Sequence, residues 1–160
     1  MKSMPISLTI NGVPRHCEAA SSAVLADVLR DAFGLQGCKV ACDQGVCGAC
    51  TVLVDGRPVA ACSTFAFAAD GCSITTVEGL ALNGVLHAVQ TSFIENSAFQ
   101  CGFCTSGMIL SIVALLRAHP APDDETIRDW LGSNVCRCTG YGSIVEAVRR
   151  AIPVFALERA

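Results

Sequence analysis

The stretch GCKVACDQGVCGACTVLVDG, residues 37 to 56, carries cysteines at 38, 42, 47 and 50, and Cys62 follows after the strand-like run TVLV. Cys42, Cys47, Cys50 and Cys62 have the spacing C-x4-C-x2-C with a distant fourth thiol, the plant-type pattern for a [2Fe-2S] cluster. Such chemistry needs a loop that doubles back so that successive thiolates reach two irons. Gly45 and Gly48 supply backbone conformations that a Cβ would obstruct. Close backbone approach also aims N–H groups at sulfur, where they favour the negative charge gained on reduction.

A second quartet lies in QCGFCTSGM and NVCRCTGY: Cys101, Cys104, Cys136 and Cys138. A C-x2-C paired with a C-x-C is a rarer spacing, and by itself it admits either a cluster or a single tetrahedral zinc. Cys101 and Cys104 fall where a helix is expected to start, so free N–H groups and the positive end of the macrodipole favour an anionic centre. Thr139-Gly140-Tyr141 is placed to open another helix, so that two helix ends could converge on one site. The first quartet is less ambiguous, because zinc sites more often use paired C-x2-C knuckles.

Cys17, Cys38 and Cys72 stand outside both quartets and read as small buried hydrophobes. His16, His87 and His119 do not cluster, and nothing places any of them beside a nucleophile. Trp130 spaces with Ile127 and Leu131 as core. Arg137, between two thiols, either stabilises a reduced cluster or pairs with a cofactor phosphate, or else faces solvent or an interface.

With 160 residues, 52% of them apolar, the chain can bury real cores without disulfide staples. MKSMPISLTI has no secretory pattern, so a reducing, cytoplasmic setting is expected, and there eleven cysteines point to metal binding. A net charge of -3 lacks the basic footprint of a nucleic-acid binder and the strongly acidic face of a freely diffusing electron carrier. Charged residues make up 16%, below the roughly 25% of ordinary soluble domains. So few charges suggest a large permanent interface with other subunits. The longest apolar run, 108 to 116, is interrupted by Ser111 and is too short for the ~20 residues of a membrane span.

The elements that must position the thiols follow from periodicity and turn signals. Residues 6 to 18 predict a hairpin around Asn11-Gly12 with Pro14 at an edge, and Val24, Leu25, Val28, Leu29 and Phe33 predict a helix stopped by Gly34. A second hairpin is expected over 51 to 62 around Asp55-Gly56, with one more strand at 73 to 77. After Glu78-Gly79 the pattern is helical: a helix capped by Asn83 running to about 96, one over 104 to 119, one starting at Asp123-Asp124-Glu125, and one over 144 to 152 ending before Pro153. Strands plus a helix, then a bundle of short helices, give an α+β chain.

Taken together, ACDQGVCGACTVLVDG, QCGFCTSGM and NVCRCTGY, in that order and at those separations, resemble the small iron-sulfur subunit of the xanthine oxidase family of molybdenum hydroxylases. The resemblance covers nearly the whole chain. It implies an N-terminal β-grasp plant-type ferredoxin domain over 1–78 and an all-α helical-bundle domain over 79–160, each holding one [2Fe-2S] cluster. It also implies a large molybdopterin-binding subunit and a medium FAD-binding subunit as partners, with no substrate site on this chain. Electrons would pass from the molybdopterin to the cluster of Cys101, Cys104, Cys136 and Cys138, then to that of Cys42, Cys47, Cys50 and Cys62, and on to FAD or another acceptor. The substrate expected for such a complex is an N-heteroaromatic or aldehyde-type compound. Gln100 and Cys138 match positions that approach the molybdopterin. The chain departs from the family pattern at Cys38, where Thr is usual, at Ala41, where Gly is usual, and at Ser106, where Pro is usual. Two other classes compete: a free-standing two-cluster ferredoxin, against which the low charge and the helical half argue, and a zinc-stabilised interaction module without redox activity.

Overall fold

A computed structural model describes residues 3–158; residues 1, 2, 159 and 160, which the two expected halves include, lie outside the described residues. Strands β1 (Ser3–Ile10) and β2 (Val13–Ala20) pair antiparallel around Asn11-Gly12, both with positive φ as a tight hairpin turn requires. Along β1 every second residue, Ile6, Leu8 and Ile10, is buried, which is the strand period of two expressed as one buried face. Strands β3 (Thr51–Val54) and β4 (Arg57–Ala60) form the second hairpin around Asp55-Gly56.

Strand β5 (Ser73–Thr75) inserts between the hairpins, parallel to β1 and antiparallel to β3. The result is a mixed five-stranded sheet of order β2-β1-β5-β3-β4. Pro14 lies on β2, an edge strand, where its missing N–H disturbs no ladder. Two strands are shorter than expected. After Ala60 the chain turns into a short 3-10 helix, Ala61–Ser63, that buries Cys62. After Thr75 the side chain of Asn11 accepts from the N–H of Thr76 through Oδ1 and donates to its hydroxyl oxygen through Nδ2 (2.9 Å each), and the chain leaves the sheet into the 3-10 turn Val77–Gly79.

Across the inner face of the sheet lies α1 (Leu25–Asp27), which continues as one π-helical turn, Val28–Ala32, before Gly34 with positive φ ends it. Leu25, Ala26, Val28 and Leu29 are buried there with Ile6, Leu8, Ile10, Val52 and Ile74 in a first core.

The second core is helical: α2 (Ala88–Glu95), α3 (Thr105–Ala118), α4 (Asp124–Leu131) and α5 (Gly142–Glu158). Helix α3 is buried at every position from Gly107 to Leu116, because α2, α4, α5 and β3 surround it, and Leu53 of β3 joins its core. Asn83 does not cap α2. With Gly84 it makes a positive-φ turn joining Leu82 to Val85, and the cap is His87, whose Nδ1 accepts from the N–H of Val89 while Gln90 Oε1 accepts from the N–H of His87. Helix α5 starts at Gly142 and runs through Pro153 instead of ending before it. An internal proline costs about 3 kcal/mol. Phe155, two residues on, is buried and recovers about 1.5–3 kcal/mol, so tertiary packing carries the helix past the break. Among the described residues no helix is long and apolar enough to cross a membrane.

Candidate metal centres

The first quartet gathers on the loop between α1 and β3, with Cys62 arriving from the turn after β4. Cys50 and Cys62 are buried, while Cys42 and Cys47 are half-buried. Backbone N–H groups point at the sulfurs: Gln44 and Cys47 donate to Cys42 Sγ at 3.4 Å, Gly45 to Cys62 Sγ at 3.3 Å, and Cys62 to Cys50 Sγ at 3.5 Å. Amide donors from Cys47, Gln44 and Val46 hold the Cys42 thiol down at about 6, which favours its thiolate form. Burial pushes Cys50 up to about 11. The loop achieves this by taking positive φ at Asp43, Gly45 and Gly48. Ala41 is not among the positive-φ residues, so an alanine there strains nothing.

The second quartet sits where α3 and α5 begin. Cys104 occupies the N-terminal boundary position of α3, Cys101 precedes it, and Cys136 and Cys138 lie on the loop that leads through Gly140 and Tyr141, both with positive φ, into α5. Cys101 and Cys138 are exposed, and their sulfurs are 3.7 Å apart. Cys104 and Cys136 are half-buried neighbours; burial pushes Cys104 up to about 12. Cys136 is held below its ordinary value: burial, the largest single effect, pushes it up, but the Thr139 hydroxyl, donating to its sulfur at 3.1 Å, together with the backbone N–H groups of Thr139 and Cys138 and the Cys104 thiol, outweighs that.

In both places the thiols are neighbours two by two: Cys42 with Cys47 and Cys50 with Cys62, then Cys101 with Cys138 and Cys104 with Cys136. Two pairs per site match a two-iron cluster, in which each iron takes two thiolates. A structural zinc needs four donors converging on one point. A cleft of about 190 Å³ touches Cys101, Cys104, Cys136 and Cys138 on one side and Cys47 and Ala49 on the other. The donor set and the cleft therefore fit a [2Fe-2S] cluster.

The two sites touch through backbone. The N–H of Val135 donates to the carbonyl of Cys47 at 2.9 Å, so one hydrogen bond and one peptide unit separate Cys47 from Cys136. Beside it Asn134 Nδ2 donates to the carbonyl of Gly48 at 2.9 Å, and Gly107 of α3 packs so closely that a Cβ would collide with that same oxygen.

Of the other residues read from the sequence, Gln100 donates through Nε2 to the carbonyl of Cys138 at 3.0 Å, at the exposed edge of the second site. Arg137 lines the cleft with Phe103 and Val135. Cys38 is buried, its thiol pushed up to about 12 by burial and donating to the carbonyl of Cys50 at 3.5 Å. Cys17 and Cys72 pack half-buried against the first core, and Trp130 packs against the second. Ser106 holds the one buried side-chain oxygen without a hydrogen-bond partner among the described residues. Asn134 and Ser111 were not legible as site residues, though Ser111 left a signal as a polar break in an otherwise apolar helix; Thr139 and Tyr141 were legible only as the opening of a helix, and their bonds at Cys136 were not.

Two family models match the chain. Residues 8–73 match the family described as a 2Fe-2S iron-sulfur cluster binding domain, and residues 76–149 match a [2Fe-2S] binding domain family. The chain is 45% identical over 152 residues to the nicotinate dehydrogenase small FeS subunit of Eubacterium barkeri, covering 95% of this chain and 97% of that one. It is 47% identical over 143 residues to the nicotine 6-hydroxylase small subunit of Paenarthrobacter nicotinovorans, covering 89% and 86%. Among solved structures, a chain of quinoline 2-oxidoreductase from Pseudomonas putida 86 superposes with a TM-score of 0.94 at 46% identity, over 99% of this chain and 98% of that one.

Proposed function

Because this chain belongs to the small [2Fe-2S] subunits of the xanthine oxidase family of molybdenum hydroxylases, we propose that it relays electrons from a large molybdopterin-binding subunit to a medium FAD-binding subunit. The reaction served is hydroxylation of an N-heteroaromatic or aldehyde-type substrate held by the large subunit. Relatives named for nicotine, nicotinate and quinoline chemistry support the N-heteroaromatic class.

Cys42, Cys47, Cys50 and Cys62 hold the first cluster, within a β-grasp domain proposed to span 1–78. Cys101, Cys104, Cys136 and Cys138 hold the second, within a helical bundle proposed to span 79–160. The clusters, when bound, supply one-electron centres. The chain's own residues fix where those centres sit, donate N–H groups to their sulfurs, and bury Cys50 and Cys62 away from water.

The observation that carries this reading is the arrangement of two paired-thiol sites in series. One keeps Cys101 and Cys138 at the surface with Gln100 beside them, where a molybdopterin can be reached, and the Val135–Cys47 hydrogen bond joins it to the other. Exposed apolar side chains near the sites, Val46, Phe99, Phe103 and Val135, suit burial against partner subunits.

The test is low-temperature EPR of the dithionite-reduced complex, with iron, sulfide, molybdenum and zinc measured on the same sample. Two distinct [2Fe-2S] signals together with molybdenum are expected. Zinc without such signals would defeat the proposal.

A further inference from the structure

Asn134 is 1% exposed, and the polar groups of its side chain are all engaged between the two thiol sites. Its Nδ2 donates to the carbonyl of Gly48, which lies between Cys47 and Cys50, at 2.9 Å. Its Oδ1 accepts from Ser111 Oγ of α3 at 2.7 Å and from Ser133 Oγ at 3.0 Å. Its backbone carbonyl accepts from the Tyr141 hydroxyl at 2.8 Å, and that hydroxyl in turn accepts from the N–H of Cys136 at 2.8 Å. One side chain and its peptide thus tie three pieces of chain to each other: the first thiol loop, the helix that starts at Cys104, and the loop carrying Cys136 and Cys138.

This network is costly to keep. A buried amide is stable only when every polar atom is paired, and an apolar residue of similar size could fill the space without that demand. Simple packing does not call for an asparagine here. Directional bonds do, because they fix a distance: the Val135–Cys47 hydrogen bond is set by the residue next to Asn134, and Gly48 carries no Cβ because one would collide with Asn134 Nδ2.

We infer that Asn134 is a positioning residue for electron exchange between the two centres: it clamps the loop of Cys136 and Cys138 against the loop of Cys47 and so sets the spacing of the clusters. This rests on the proposed function and deepens it. Asn134 is not itself a ligand to either cluster; it acts through Gly48 and Val135.

The readout is the magnetic interaction between the two reduced clusters, which falls steeply with their separation and appears as splitting of their EPR lines in the fully reduced full-length chain within its complex. Asn134→Ala is expected to keep both [2Fe-2S] signals and lose the resolved splitting. Ser111→Ala, which frees the same amide from α3 but leaves both thiol loops intact, is expected to broaden it, and it decides the question if Asn134→Ala does not fold. A role in stability alone would lower the melting temperature and leave the splitting as it was. Two full signals with unchanged splitting in the folded variants overturn the inference and leave the proposed function standing. Absence of two [2Fe-2S] signals from the unsubstituted protein overturns both.

Discussion

The backbone N–H of Val135 and the carbonyl of Cys47 meet at 2.9 Å, although Cys47 belongs to the first thiol site and Val135 adjoins Cys136 of the second. The contact is made possible by absence of side chain on both flanks: Gly48 follows Cys47, and Gly107 of α3 lies against the Gly48 carbonyl. Apolar packing of α3 on β3 brings the halves together, and a net 0.5–1.5 kcal/mol or so per hydrogen bond adds little to that. What the polar contacts contribute is register, since hydrogen bonds weaken steeply with misalignment while apolar packing does not choose among nearby arrangements.

If the quartets are independent sites, Cys138→Ser removes one exposed thiolate from the second and leaves the first untouched. The expected outcome is loss of one EPR signal, with iron and sulfide falling toward the content of a single cluster. Loss of both signals together would contradict independent sites.

Gly107→Ala adds a Cβ that would collide with the Gly48 carbonyl, a backbone atom that cannot swing aside. Overpacking of this kind costs about 1–3 kcal/mol. Gly142→Ala, at the start of α5 with nothing within 4 Å of the added atom, is the matched control and is expected to be near neutral. Denaturant midpoints on the two variants check the pair, and equal midpoints would show that the close approach is not there.

Tyr141→Phe deletes a hydroxyl that accepts from the N–H of Cys136 and donates to the carbonyl of Asn134, leaving both backbone groups without that partner. Orphaned groups of this sort cost about 1–3 kcal/mol. The loss falls on the loop of Cys136 and Cys138, so iron release to a chelator is expected to quicken at the second site and not at the first. Signal-resolved EPR during chelation separates the two.

Much of this was legible in residue spacing, for physical reasons that differ between elements. Both hairpins were readable because Asn11-Gly12 and Asp55-Gly56 supply the positive φ that tight turns require. Helix α3 was readable because its apolar run is closed by Pro120. The start of α2 and the end of α5 were not. His87 caps α2 with Gln90 reciprocating, a pairing the turn signal at Asn83 does not reveal, and Phe155 carries a helix through Pro153 by burial that local pattern does not reveal. The quartets stood out because cysteine is rare and its spacing is chemical. Asn134 did not, since Gly48 and Ser111 are far from it in sequence, and the bonds of Tyr141 did not, since they run to backbone groups of Asn134 and Cys136, which carry no residue-type signal.

The outer face of the bundle offers a test with a defined sign. Arg149 reaches Asp124 on α4 and Glu146 one turn back on α5, and its guanidinium holds the Asp124 carboxyl below the ordinary carboxylate range. A carboxyl whose pKa is lower in the folded than in the unfolded chain binds fewer protons when folded, so stability rises with pH between the two values. The contribution is complete above the unfolded value of about 3.9 and is lost as pH falls through the folded value. Asp124→Asn is therefore expected to lower the unfolding midpoint at pH 7 and to match the unsubstituted chain at pH low enough to protonate Asp124 in the folded protein. Both partners are exposed, so the difference at pH 7 is small and shrinks further in high salt. Taking variant and unsubstituted chain at each pH cancels any acid loss of iron common to both. A deficit that persisted unchanged at low pH and in high salt would mean that Asp124 acts through helix packing and that its pairing with Arg149 contributes nothing.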